Sequence, residues 1–237
     1  LILPKKMHIE HCLNCLEAKN SIFRVLTSEE KDTLVHTATT LEFKKNDYIY
    51  KEGYLPSGLM ALSKGKVKIF KDALTGKEQI LRLANSGDFI GYRALFAQEP
   101  YNASASAMED CIVCLFPKDV LYKTIYQNAD FAVQIIHFFA KELGDSESNL
   151  VSLTQKHIRG RLAESLLRLA ETYGFEDDSV TVKIRVYRED LANLANMTTS
   201  NAIKTLYNFK EEKVIDLDGK RIKILDYNKL ERISRMG

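Results

Sequence analysis

The four cysteines of this 237-residue chain fall as two C-x2-C pairs, Cys12/Cys15 and Cys111/Cys114, with none left over. Two thiolates three residues apart can grip one metal centre, and two such pairs complete a four-sulfur shell for an iron–sulfur cluster or, as the alternative, zinc. His8 and His11 flank the first pair and can substitute as ligands. The second pair carries a geometric condition. In a straight strand, residues three apart point to opposite faces, so Cys111 and Cys114 converge only if the chain turns or bulges; Glu109-Asp110 is a turn candidate. Two other readings stay open: a reversible disulfide between the pairs, and Cys111 and Cys114 as small buried hydrophobes. A thiol oxidoreductase is disfavoured, since its motif sits at a helix N-terminus after a strand, and no strand precedes Cys12.

A second group lies near the C-terminus. Tyr187-Arg188-Glu189-Asp190 opens a helix with apolar Leu191, Leu194 and Ala195, and Asn196-Met197 makes a turn in which Asn tolerates the left-handed conformation. Thr198 can cap a second helix with Ala202, Ile203, Leu206 and Phe209 on its inner face. Thr199, Ser200, Asn201, Lys204 and Asn208 form the outer face, where hydroxyls, amides and one cation suit base edges and phosphates. Val214–Leu217, Asp218-Gly219 and Ile222–Leu225 then predict a hairpin. Lys220, Arg221 and Lys223 load that hairpin with the positive charge that DNA backbone contact requires.

These groups need elements to hold them. Thr27–Thr37 predicts a short helix with a hydroxyl cap. From Leu41 to Phe116 short alternating runs (Asp47–Lys51, Leu59–Leu62, Lys66–Phe70, Gln79–Leu83 and Cys111–Phe116) are separated by Gly53, Gly58, Gly65, Gly76, Gly87 and Gly91. That pattern predicts a compact antiparallel β unit. A short helix is expected over Pro117–Tyr126, and a long one from Asn128 or Asp130. Ala132, Ile136, Phe139, Leu143, Ser146, Leu150 and Leu153 follow the 4-3 spacing of a dimer seam, weakened in the middle by Gly144 and Ser146. His157–Tyr173 reads as an amphipathic helix closed by Gly174, and Thr181–Val186 alternates like a strand.

The net charge of +2 hides an uneven distribution: Lys183 onward carries 12 Lys+Arg against 8 Asp+Glu, or +4, so the preceding residues sum to −2. No window of 18 uncharged apolar residues exists, so no membrane span is expected. Leu1 to Lys6 shows no signal-peptide pattern and Met7 is a candidate start, which together predict a cytoplasmic chain with reduced thiols.

From Cys12 to Leu225 the chain resembles the CRP/FNR transcription factors. The carrying residues are Gly87-Asp88-Phe89-Ile90-Gly91, Ala94-Leu95-Phe96, the long helix, Gly160-Arg161-Leu162-Ala163 and Arg188-Glu189-Asp190-Leu191-Ala192. The resemblance implies an α+β chain: an N-terminal antiparallel β-roll of the cupin-like, cyclic-nucleotide-binding type over 1–127, a dimerisation helix over 128–155, and a winged helix-turn-helix over 156–237. It implies a non-enzymatic homodimer on a twofold-symmetric DNA site, read through Arg188, Thr198, Thr199, Ser200, Asn201, Lys204, Asn208, Lys220 and Arg221, with RNA polymerase as a further partner.

The chain departs from its relatives at the sensor positions. Cyclic-AMP binders carry a Glu after the F-x-G of the roll and an Arg some ten residues on, where this chain has Tyr92 and Asn102. Tyr is bulky at the ribose position and Asn cannot neutralise a phosphate, so cyclic AMP is not expected at Gly91, Tyr92, Arg93 and Asn102. The oxygen-sensing relatives hold an iron–sulfur cluster on three N-terminal cysteines and one in the roll. Cys12 and Cys15 match the first two and Cys114 the fourth, while Ser21 occupies the third place and Cys111 is additional. Serine is a poor soft-metal ligand, so Cys111 would have to supply the fourth bond. In the second DNA-binding helix Thr199-Ser200 stands where many relatives have Arg-Glu, and Lys204 replaces a later Arg, so the usual operator does not carry over. The expected signal is therefore redox or metal-linked; the alternative is a small organic effector in the roll pocket.

Overall fold

A computed structural model describes residues 5–18, 21–72 and 78–236; the turn expected at Gly76 lies outside them. The chain forms two compact units, one reaching Leu143 and the other made of Gly144 onward together with residues 72–80.

The first unit begins with helix α1 (Lys5–Glu17), a 3-10 turn (Ile22–Val25) and helix α2 (Ser28–Thr37). Thr27 and Glu30 make reciprocal bonds at the start of α2, satisfying two of the amides every helix start leaves open. The strands are β1 (Thr39–Phe43), β2 (Tyr48–Tyr50), β3 (Gly58–Lys64), β4 (Lys66–Asp72), β5 (Glu78–Asn85), β6 (Phe89–Ile90), β7 (Ser104–Ala107) and β8 (Cys111–Pro117). They form two four-stranded sheets, ordered β1-β8-β3-β6 and β2-β7-β4-β5. Helix α3 (Tyr92–Ala97) sits between β6 and β7, α4 (Lys118–Gln127) follows β8, and α5 (Ala129–Gln155) starts one residue later than Asn128. The Asn128 side chain accepts from the Phe131 amide at 2.9 Å and so caps α5.

Strand β8 separates two apolar clusters. On one face Cys114 and Phe116 pack with Leu16, Phe23, Leu34, Leu121 and Phe131 from the helices. On the other, Cys111 and Val113 pack with Leu62, Val67, Ile90 and Ala105 inside the roll. Phe23 anchors the first cluster, with its ring 5.3 Å from Phe116 and from Phe131. Such ring pairs add about 0.5–1.5 kcal/mol each beyond area burial.

The second unit contains α6 (Ile158–Tyr173), α7 (Arg188–Leu194), α8 (Thr199–Glu211), β9 (Ile215–Asp218), β10 (Arg221–Ile224) and α9 (Tyr227–Met236). Gly174 closes α6 at φ +71°. The expected strand over Thr181–Val186 is irregular. Thr181 bridges Lys223 and the Val182 amide donates to the Ile222 carbonyl at 2.9 Å, but the Ile184 amide turns back to Val182. Burial still alternates, with Val182, Ile184 and Val186 inside and Lys183 and Arg185 outside.

Candidate functional site

Helix α1 has neither an acidic first turn nor a basic last turn, so its stability comes from the face it buries. That face carries Ile9, Cys12, Leu13 and Leu16 at steps of three and four, with His8 and Cys15 beside them. Cys12, Cys15 and Cys114 are all buried in one cluster. The Cys12 Sγ lies 2.9 Å from the Cys114 Sγ, and Cys15 is buried in the same cluster. Thr40 Oγ1 lies 3.7 Å from the sulfur of Cys12 and 4.0 Å from that of Cys114. His8 Nε2 is 3.3 Å from the Val35 carbonyl, which accepts only if that nitrogen carries the proton. Nδ1 is then the bare acceptor; it takes the Thr40 hydroxyl and stands 4.0 Å from the Cys12 Sγ. His11 points elsewhere, bonding the Ser63 hydroxyl at 2.9 Å, and Ser21 caps the 3-10 turn.

The four-cysteine set expected from the spacing does not form. Strand β8 runs in unbroken register against β1, from Phe43 opposite Cys111 to Thr40 opposite Cys114. No turn brings Cys111 round, and it faces the roll interior, its thiol donating to the Glu109 carbonyl at 3.1 Å and lying 3.4 Å from that of Lys66. Among the described residues no three His, Cys, Asp or Glu side chains form a ready coordination shell. Cys12 and Cys114 hold their protons: hydrogen bonding with Cys114, then burial, pushes the Cys12 thiol far up. Hydrogen bonding with Cys12 pulls Cys114 down, but Cys15 and burial outweigh it and that thiol is raised too. Neutral buried thiols are weak nucleophiles.

The second site is built on α7 and α8. Asn196 turns the chain between them at φ +48°, and the Thr198 hydroxyl accepts from the Asn201 amide at 3.2 Å. Ala202, Thr205, Leu206 and Phe209 are buried, while Thr199, Ser200, Asn201, Lys204 and Asn208 are exposed on the other side. Ile203, expected inside, is 39% exposed, and Thr205 takes the inner place. The hairpin pairs Asp218 with Arg221, so its two-residue turn is Gly219-Lys220 rather than Asp218-Gly219. Gly219 at φ +57° supplies the left-handed residue this turn needs, and Lys220 stands at the tip. The Lys220 ammonium lies 3.6 Å over the Tyr187 ring, and Arg221 is 3.6 Å from Glu176. Arg188 donates to the Gly219 carbonyl at 2.7 Å, tying α7 to the wing, and burial lowers its pKa. Its other terminal nitrogen is buried without a partner.

The effector positions Gly91, Tyr92, Arg93 and Asn102 have different surroundings. Gly91 starts α3 at φ +72°, with the Tyr101 ring 2.9 Å from where a Cβ would stand. Tyr92 is occupied by the chain itself. Its hydroxyl donates to the Glu142 carboxylate, and Arg82 donates to both at 2.9 and 3.0 Å. Burial opposes the Arg82 charge, but Tyr92 and Glu142 outweigh it and the pKa is raised. Arg93 pairs with Glu99 at 3.0 Å on the surface, and Asn102 is exposed.

Comparison with known proteins matches both units. Residues 40–128 match the cyclic nucleotide-binding domain model, and residues 160–233 match the Crp-like helix-turn-helix domain model. The chain belongs to the CRP/FNR family. It is 26% identical to the anaerobic regulatory protein of Bacillus subtilis over 208 residues, 87% of each chain. It is also 26% identical to a CRP-like cAMP-activated global transcriptional regulator of Mycobacterium tuberculosis over 219 residues, 92% of this chain and 98% of that one. Among solved structures, FixK2 from Bradyrhizobium japonicum shares the fold at TM-score 0.74 and 21% identity, over 83% of this chain and 96% of that one. Like these CRP/FNR relatives, the chain is a DNA-binding transcription regulator and not an enzyme.

Three features of this CRP/FNR chain lie outside the sequence-based expectations. Helix α1 is signalled by the Ile9, Cys12, Leu13, Leu16 spacing, in which the cysteines belong to an apolar face as well as to a ligand pattern. Arg82 and Glu142 are 60 residues apart, and no local signal pairs them. Tyr207 is 59% exposed on α8, one turn beyond Ile203, where helical period alone would have placed it.

Proposed function

We propose that this regulator is a cytoplasmic homodimer that senses a redox or metal-linked signal at the seat of α1, through Cys12, Cys15 and Cys114. The observation that carries this reading is the convergence of three buried thiols, from two segments 102 residues apart, in a core otherwise built of aliphatic and phenylalanine side chains. Three sulfurs with the bare His8 nitrogen are the donor set of a single thiophilic ion such as zinc. Two thiolates on a tetrahedral ion stand roughly 3.8 Å apart, given bonds of ~2.3 Å, so the 2.9 Å pair needs to open by about 1 Å. A four-iron cluster on four cysteines, as the resemblance to the oxygen-sensing relatives implies, fits less well: it needs more room and a fourth sulfur that Cys111 does not bring. The His8 hydrogen bond to Val35 would hold the ring in the ligating tautomer, as a second-shell partner does. A bound ion would supply a fixed positive charge that keeps the thiols deprotonated. What the chain does is hold α1 against β8, beside the start of α5.

The signal acts by favouring one arrangement over another. The responding element is α5, where Ile136, Leu143 and Leu150 are 64%, 61% and 63% exposed at intervals of seven, the pattern of a partner-facing seam. Phe139 packs inward and Leu153 is half-buried, so the seam is narrower than Ala132 to Leu153 with Phe139 and Ser146 suggests. Helix α8 reads bases with Thr199, Ser200, Asn201 and Lys204, with Thr198 and Asn208 at its borders. Lys220 and Arg221 meet phosphate, and Arg188 positions the wing. Cyclic AMP is not the effector, since Tyr92, Arg82 and Glu142 satisfy one another where it would sit. A second reading, an organic effector in the roll, is favoured by the Tyr101 hydroxyl, buried without a partner beside Gly91.

The test is metal analysis and a visible spectrum of protein purified without oxygen. About one zinc or iron per subunit supports the single-ion reading, a brown protein with about four irons restores the cluster, and metal-free protein that responds to no oxidant turns attention to Tyr101.

A further inference from the structure

We infer that Ile203 is a base-reading residue of α8, and that the base it selects is thymine. The inference rests on the reading of α8 as the base-contacting helix. Ile203 is the fifth residue of α8, one turn beyond Thr199 and beside Lys204. It is 39% exposed, whereas its neighbours Ala202, Thr205 and Leu206 are buried. The side chain therefore stands on the polar face, between Thr199 and Tyr207 at steps of four.

An isolated exposed aliphatic residue is ordinary on a protein surface. At this position it has a specific consequence. In the major groove guanine, cytosine and adenine present hydrogen-bonding groups, and thymine alone adds a methyl group. Isoleucine offers no donor or acceptor, so against a polar base edge it strips water without replacing the lost bonds. Against thymine it buries a methyl on a methyl. One contact thus attracts thymine and penalises the other bases. The short hydroxyls of Thr199 and Ser200 leave that contact unobstructed, and neither dictates a single base.

The test starts from the full-length protein. Its preferred site is selected from a randomised duplex library, and each thymine of that site is replaced in turn by deoxyuridine, which lacks only the methyl group. At one position in each half-site the wild type should lose about fourfold in affinity, the ~0.8 kcal/mol of one buried methyl at ~1.4 kcal/mol per tenfold. Replacing both half-sites should cost roughly fifteenfold. Ile203→Ala should bind thymine and uracil duplexes equally, and Ile203→Val, which keeps branched methyls, should retain the discrimination. Because Ile203 is only 39% exposed, a melting curve of the alanine variant accompanies the titration, and Ile203→Val keeps the test free of any folding defect. If Ile203→Ala keeps the wild-type thymine preference, or if no thymine in the site shows a methyl dependence, the inference is overturned. A library that enriches no sequence at all overturns base reading by α8 as a whole, and Ile203 with it.

Discussion

The two C-x2-C pairs are identical in spacing and opposite in outcome. On α1 a step of three is most of one helical turn, so Cys12 and Cys15 share a face and enter the same cluster as the β8 sulfur, which Cys12 touches. On β8 the same step crosses the sheet: Cys114 joins the helices, and Cys111 enters the roll. Spacing alone is therefore not a ligand signature; the period of the element that carries it decides whether two thiols can cooperate. The structure converts an apparent 2+2 set into a group of three and a lone packing thiol.

The largest effect that sharpens this contrast is all-or-none. Cys114→Ser should abolish metal binding by anaerobically prepared protein, because the strand contributes one sulfur and serine oxygen is a poor soft ligand. Cys111→Ser should leave the metal content unchanged. Equal loss in the two variants, read by elemental analysis of each, would mean that β8 rearranges on binding and that the contrast drawn from its register is wrong.

The same contrast shows what was legible in advance. The roll strands with alternating Val, Ile and Phe, the capped α2 and the turn at Asn196 all carry local signals, and each formed close to its expected place. Strand β7 did not announce itself, because Ser104-Ala105-Ser106-Ala107 has no branched or aromatic residue; four small side chains suit a strand buried along its whole length. Helix α9, with Leu230 buried in the second unit, is marked at its start by Asp226, whose carboxylate accepts from the Lys229 amide at 2.8 Å. The straightness of β8 was the unsettled condition. A turn at Glu109-Asp110 does occur, but it precedes Cys111 and leaves 111–114 extended. The Asp110 carboxylate is held outward by Lys44 at 2.8 Å. Local sequence marked the turn; only pairing with β1 fixed its position.

A smaller effect separates the pairs by stability. Leu16 is fully buried beneath α1, one residue after Cys15. Leu16→Ala should cost about 2–5 kcal/mol, concentrated in the seating of α1 because the roll strands keep a second cluster, inside the roll, that Leu16 does not enter. Alkylation followed by mass spectrometry should then show Cys12 and Cys114 labelling faster, with Cys111 unchanged. Acceleration of all three together would show that α1 and the roll open as one unit.

The smallest effect concerns the lone thiol. Burial pushes the Cys111 thiol up to about 11, with its carbonyl partners at Lys66 and Glu109 pulling the other way. An unfolded cysteine loses its proton near ~8.5. Between those values the folded chain still holds the proton and the unfolded chain does not, so stability falls as pH rises. The contribution is complete below about 8.5 and gone above about 11, with a ceiling of about 3 kcal/mol at ~1.4 kcal/mol per pH unit. Lysine and tyrosine side chains titrate in the same window, so the quantity to follow is the urea-unfolding difference between wild type and Cys111→Ala. That difference should shrink from pH 7.5 to pH 11, as the wild type alone loses the benefit of a neutral buried thiol. A difference that stays constant would mean that Cys111 ionises freely in the folded state. The roll interior would then be open at that strand end, and β8 would bury its two cysteines unequally.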